Sequence, residues 1–178
     1  GAFDSPYVCA LPAADPTGPA ATRNGSEPLG DGWLPLHCGK CGACSSLADA
    51  EVLWRTRASI TANMTACSTA FSLSNMNPFA TPQSLGDLRA CLVRSGINLT
   101  DDGRAWPDPA GKPTCWDCWA DNILSDKVSC ATHCLRKFFD PGNSGDFDTD
   151  ACLQCDEYVS GAQFIACAGA NRRALGIS

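Results

Sequence analysis

Thirteen cysteines in 178 residues decide most of what this chain can become. Thiols at such density either hold metal or are oxidised in pairs, and pairs persist only in oxidising compartments. Three N-glycosylation acceptors point to the same compartments: Asn24-Gly-Ser26, Asn63-Met-Thr65 and Asn98-Leu-Thr100. The chain is therefore expected to be secreted and to carry N-linked glycans at Asn24, Asn63 and Asn98. Gly1-Ala2-Phe3-Asp4 has neither the charged nor the apolar region of a signal peptide, so the numbering is expected to start after a cleaved leader. The 13 Lys and Arg against 19 Asp and Glu leave no basic footprint for nucleic acid. No apolar run approaches the roughly 18 residues of a membrane span.

Twelve cysteines are expected to pair within the chain: Cys38, Cys41, Cys44, Cys67, Cys91, Cys115, Cys118, Cys130, Cys134, Cys152, Cys155 and Cys167. The odd one is expected to be Cys9, as a free thiol or an interchain bridge. It stands alone in a Pro/Gly-rich arm, residues 1–32, with Pro6, Pro12, Pro16, Pro19 and Pro28 and few apolar groups. Such an arm has no core of its own and must dock on its own domain or on a neighbouring subunit to be held. Residues 33–178 form the second region, a cysteine-rich helical domain.

Helical spacing is clearest over residues 46–73, where Leu53, Ile60, Met64, Cys67 and Phe71 recur on one face. Ser46 and Asp49 have the spacing of a capping box with a shorter acid. A second helix is predicted over 85–95, capped by Ser84 and Asp87, apolar at Leu85, Leu88 and Leu92, and stopped by Gly96. Residues 100–113 read as a loop. Helices over 114–124 and 127–139 would make a hairpin in which Cys115 faces Cys134 and Cys118 faces Cys130. Two further stretches are predicted over 149–159 and 161–174, broken near Gly161. Alternation of β-branched residues is absent, so the fold expected is all-α, a small disulfide-stapled helical domain with an extended arm.

Four strings occur in order: His37-Cys-Gly-Lys-Cys-Gly-Ala-Cys-Ser45, Cys115-Trp-Asp-Cys-Trp-Ala-Asp-Asn122, Cys152-Leu-Gln-Cys-Asp-Glu157 and Cys167-Ala-Gly-Ala-Asn-Arg-Arg173. Through them the chain resembles a family of uncharacterised secreted cysteine-rich proteins of algae and oomycetes. The resemblance spans residues 34–178. It implies an extracellular address and a chain that continues a little beyond Ser178. It implies no activity and no catalytic residue.

Other constellations carry competing chemistry. Cys38, Cys41 and Cys44 beside His37, or the quartet Cys115, Cys118, Cys130 and Cys134 beside His133, have spacings that could wrap zinc or an iron–sulfur centre. The compartment argument favours disulfides for both. Asp146, Asp148, Asp150 and Glu157 occupy positions 1, 3, 5 and 12 of a calcium loop, although Ala151 replaces the glycine of its sharp turn. Gly142-Asn-Ser-Gly-Asp146 and Ala131-Thr-His-Cys134 look like the nucleophile and histidine segments of trypsin-like proteases. Those enzymes place the two far apart on β-barrels, whereas His133 and Ser144 are separated by 11 positions in a helical region. Trp54, Trp116 and Trp119 lie in helical stretches and are expected to pack inward. Trp33 and Trp106 lie in loops and are the candidate contact surfaces.

With no catalytic constellation surviving, the chain is expected not to be an enzyme. The expected role is a structural or assembly subunit of an extracellular fibre, coat or matrix, self-associating through its N-terminal arm. A secreted glycan- or calcium-binding module is the alternative, with calcium as the only cofactor in view.

Overall fold

A computed structural model of the chain describes residues 6–104, 111–134 and 151–170. The arm is not extended and the fold is not all-α. Residues 7–38 form a three-stranded antiparallel sheet from β1 (Tyr7–Pro12), β2 (Ala21–Asn24) and β3 (Trp33–Cys38), in the order β2-β1-β3. The strand signal is hidden because Cys9, Ala10 and Leu11 are all buried. A strand covered on both faces reads as a continuous apolar run instead of an alternation. The turn after β1 is held by Asp15, whose carboxylate accepts from the backbone N–H and the hydroxyl of Thr17.

Helices α1 (Leu47–Thr56) and α2 (Ile60–Met76) replace the single helix predicted over 46–73. At the break, Arg57 donates to the Trp54 carbonyl and Ser59 to the Thr56 carbonyl, supplying partners for the freed acceptors. Leu53 before the break and Ile60 after it are both buried, so the apolar stripe survives the interruption. Trp54, one residue off that stripe, is 63% exposed beneath the Arg57 guanidinium and does not pack inward as expected. Trp116 and Trp119 are buried.

Helix α3 (Leu85–Arg94) forms where its spacing predicts, with Ser84 and Asp87 closing a reciprocal capping box and Gly96 at φ 82° just beyond it. The Cys67–Cys91 bridge ties it to α2. Helix α4 (Cys115–Ser129), capped by Thr114 and Asp117, is the central element, and every residue from Cys115 to Ala120 is buried.

The predicted hairpin does not form. No Gly or Pro interrupts Leu124-Ser125-Asp126, so α4 runs on, and Cys118 and Cys130, 12 residues apart at 1.5 Å per residue, lie about 18 Å apart along its axis. Cys115 pairs instead with Cys44, Cys118 with Cys167, Cys130 with Cys155 and Cys134 with Cys152.

Helices α5 (Ala151–Val159) and α6 (Gly161–Ala168) run back along α4. Their contacts step from Cys130–Cys155 through Asn122–Ser160 and Trp119–Phe164 to Cys118–Cys167. Between them lies a buried polar cluster. The Asn122 amide donates to the Asp156 carboxylate at 2.9 Å, and the Ser160 hydroxyl lies within reach of both side chains. Cys9–Cys41 completes six bridges, which are nested or consecutive and never cross in sequence. The domain is thus small, disulfide-rich and mostly helical, with a sheet at its N-terminal end. Among the described residues no helix is long and apolar enough to cross a membrane.

Candidate functional site

The string His37 to Ser45 is where the sheet meets the helices. As β3 ends, the Gly39 N–H donates to the Tyr7 carbonyl and the Cys41 N–H to the Thr22 hydroxyl, while Cys41 bonds to Cys9. Three residues on, Cys44 bonds to Cys115 at the start of α4. Between them, the Ala43 and Cys44 N–H groups donate to the Cys167 and Ala168 carbonyls at 2.8 and 3.1 Å. These donors satisfy carbonyls that the end of α6 leaves without helical partners. The spacing of Cys41 and Cys44 therefore serves two bridges running in different directions, joined by backbone hydrogen bonds to a third element. We call this segment the hub.

Such close backbone contact needs glycine on both sides. A Cβ on Gly42 would overlap the backbone of Cys167, Ala168 and Gly169, and one on Gly169 would overlap Gly42. Gly169 also sits at φ 92°, which L side chains rarely adopt.

His37 and Ser45 close the hub from inside. His37 Nδ1 lies 3.0 Å from the Cys38 carbonyl, an acceptor only, so Nδ1 carries the proton and donates. Nε2 then accepts from the Ser45 hydroxyl at 2.9 Å, and the Ser45 oxygen accepts from the Gly42 N–H at 2.9 Å. Each group is satisfied with a neutral imidazole. Burial holds the His37 pKa below its ordinary 6.5. Ser45 is only 6% exposed, so this pair fastens a loop and presents no nucleophile to a substrate.

A pH dependence follows. With the folded pKa below 6.5, the unfolded chain binds the extra proton first as pH falls. The contribution is complete above about pH 6.5, is lost from there down to the lowered folded value, and is level below it. The wild-type urea midpoint should fall between pH 8 and pH 5 by more than that of His37→Gln. Equal falls would show that the imidazole does not couple to folding.

Cys38 is the cysteine left over. Cys9, expected to be unpaired, is fully buried and bonded to Cys41, because β3 runs back beside β1 and delivers the hub next to it. Cys38, expected in a disulfide, is exposed and free. The register places Cys38 opposite Val8 and His37 opposite Cys9. Neighbouring strand residues face opposite ways, so the Cys38 thiol is directed away from Cys9. Arg23 is also opposite Val8, and Trp33 is opposite Pro12, two alternations along β1, so both share the Cys38 face. There the Arg23 guanidinium lies 4.7 Å over the half-buried Trp33 ring.

The remaining sequence candidates are dispersed. Asn24 and Asn98 are exposed, and Asn63 is half-buried within α2. Asp146, Asp148, Asp150, Ser144 and Trp106 lie outside the described residues. Glu157 lies in α5, and residues 151–157 of the supposed calcium loop are helical throughout. His133 is exposed. Among the described residues, no group of three or more His, Cys, Asp or Glu is placed to hold a metal ion.

Two constellations escaped the sequence reading. One is the Asn122, Asp156 and Ser160 cluster, for which the only trace is the Asp156/Ser160 spacing of four. The other joins Asp49 and Thr100 and is described below.

The model of a family of unknown function (DUF8771) matches residues 112–178, less than half of the chain. That stretch holds α4, α5 and α6 with three internal bridges, Cys118–Cys167, Cys130–Cys155 and Cys134–Cys152. Cys44–Cys115 is its bridge to the rest. No curated protein matches the chain, and no solved structure does.

Proposed function

We propose that this chain is a secreted, non-enzymatic glycoprotein that acts as a structural or assembly subunit of an extracellular fibre, coat or matrix. The observation that carries this reading is the exposed Cys38 thiol, left over after six bridges have formed. In an oxidising compartment an exposed unpaired thiol tends to bond to another chain. Self-association therefore runs through the outer face of the sheet, with Cys38 as the covalent contact and Trp33 and Arg23 beside it. A Cys38–Cys38 bridge gives a two-fold dimer, and extension into a fibre or coat needs a second, head-to-tail contact.

Material purified from a secretory host should run as a dimer by size exclusion with light scattering, collapse to the monomer in mild reductant, and run as a monomer when Cys38→Ser is introduced. A wild-type monomer with one titratable thiol per chain would overturn the assembly reading and favour the glycan- or calcium-binding module.

A further inference from the structure

The three acceptor sequons sit in three different settings, and the setting decides when each can be read. In N-glycosylation the Asn amide nitrogen bonds to the anomeric carbon of a lipid-pyrophosphate-linked oligosaccharide. The bond from that carbon to the pyrophosphate oxygen breaks, the lipid pyrophosphate leaves with the electron pair, and the amide gives up one proton. The transferring enzyme reads the hydroxyl two residues on, so that hydroxyl must be released and the tripeptide must come away from its surroundings, at a cost set by what holds them.

At Asn98 the folded chain withholds both conditions. The Thr100 hydroxyl donates to one oxygen of Asp49 at 2.8 Å, and the Thr100 N–H donates to the other at 2.8 Å. Asp49 is 1% exposed and also accepts from the Ser46 hydroxyl, so its carboxylate is a buried fixture of the α1 cap. The Thr100 carbonyl meanwhile accepts from the Trp116 N–H at 3.0 Å. Ile97 and Leu99 on either side of Asn98 are buried. Asn98 and Thr100 are exposed, yet the Thr100 hydroxyl, N–H and carbonyl are all spent on the fold.

Asn63 meets a different obstacle. It lies within α2, its N–H donating to the Ser59 carbonyl, between buried Ile60 and Met64. The helix must unwind for its tripeptide to extend. Asn24 lies where β2 ends in an exposed turn. There the Ser26 hydroxyl and N–H donate to the Asn24 side-chain oxygen at 2.8 and 3.1 Å, the Asn24 amide donates to Glu27 at 3.4 Å, and the Gly25 N–H donates to the Pro6 carbonyl at 2.7 Å. The side-chain bonds lie on exposed residues within one turn, so the sequon opens there without disturbing a buried group.

We infer that Asn98 and Asn63 accept a glycan only before the fold closes, whereas Asn24 remains an acceptor on the finished surface. The inference rests on entry into the secretory path, one part of the proposed function, and is independent of self-assembly. Once Asn98 has been loaded, the hydroxyl that directed the transfer becomes an anchor of α1.

The test compares two forms of the unglycosylated chain, one oxidised and folded and one reduced and carboxymethylated. Each is incubated with detergent-solubilised transferase and lipid-linked oligosaccharide, and site occupancy is read by mass spectrometry. Asn24 should be modified in both forms. Asn98 and Asn63 should both be modified in the reduced form. In the folded form Asn98 should react about a hundredfold more slowly, since two hydrogen bonds to the buried Asp49 each hold the closed state roughly tenfold, and Asn63 should also be slowed because α2 must unwind first.

Equal rates at Asn98 in the two forms would overturn the inference, as would refusal of sugar at Asn98 by the reduced chain. A folded Asp49→Ala variant should recover Asn98 modification. If that variant does not fold, the comparison of the two wild-type forms still decides. Because purified components are used, the outcome is separate from the secretory reading, whose own test is whether the native material carries glycan.

Discussion

Replacing Cys44 and Cys115 together by alanine is expected to lower the stability of the oxidised chain by about 4 kcal/mol from loop entropy alone, because their bridge spans 71 positions. The structural loss adds to this. Cys115 is fully buried and Cys44 nearly so, and their bridge joins the hub to the first turn of α4. Removing both thiols leaves no new partner for scrambling. The reference is the double alanine variant of Cys67 and Cys91, whose bridge spans 24 positions and joins only α2 to α3. Loop entropy separates the two by less than about 1 kcal/mol. An unfolding free energy in urea that falls, for the Cys44 and Cys115 variant, by more than that difference beyond the fall for the reference would mark the hub as the junction of the fold. Equal losses would mean that the sheet and the helical bundle hold together without it.

The second large effect comes from one methyl group. Gly42→Ala should destabilise the oxidised chain by about 3–5 kcal/mol. Its Cβ would overlap the backbone at the end of α6, and the strain of an overfilled contact costs about 1–3 kcal/mol. Relief by separation would break the Ala43 and Cys44 hydrogen bonds to Cys167 and Ala168, at about 1 kcal/mol each. Gly32→Ala is the control. A Cβ there meets nothing within 4 Å, so that substitution should leave the midpoint unchanged or raise it slightly. Thermal unfolding of the two variants under oxidising conditions gives the comparison. A Gly42→Ala protein as stable as Gly32→Ala would mean that the hub does not sit against α6 as described.

What the sequence disclosed divides by distance along the chain. Helix α3 was legible in full, because Ser84, Asp87, the leucines and Gly96 act over one or two turns. The apolar stripe of α1 and α2 was legible too, although the break at residues 57–59 was not, since it shifts no buried position off the stripe. The sheet escaped because three successive residues of β1 are buried, which erases the alternation that identifies a strand. Cys9 looked solitary because its partner lies 32 positions away, across a hairpin that no local signal announces. For the same reason Cys38 looked paired, its spacing to Cys41 being that of a bridging or metal-binding set. Asp49 was readable as a helix cap, yet its hold on Thr100, 51 positions away, was not. Short-range physics is written in spacing, and the candidate site is made of long-range pairings.

The uncrossed order of the six bridges, five of them nested, has a consequence for how the chain can be oxidised. Cys134–Cys152 lies inside Cys130–Cys155, which lies inside Cys118–Cys167, and Cys67–Cys91 lies inside Cys44–Cys115. As with matched brackets, the innermost pair can close first, and each closure shortens the free path between the next two sulfurs, lowering the entropy that the next closure must overcome. No segment has to be threaded through a ring already shut. A chain emerging from the ribosome can finish each bracket as its second half arrives, with Cys44, among the thiols that pair, held open longest, waiting for Cys115.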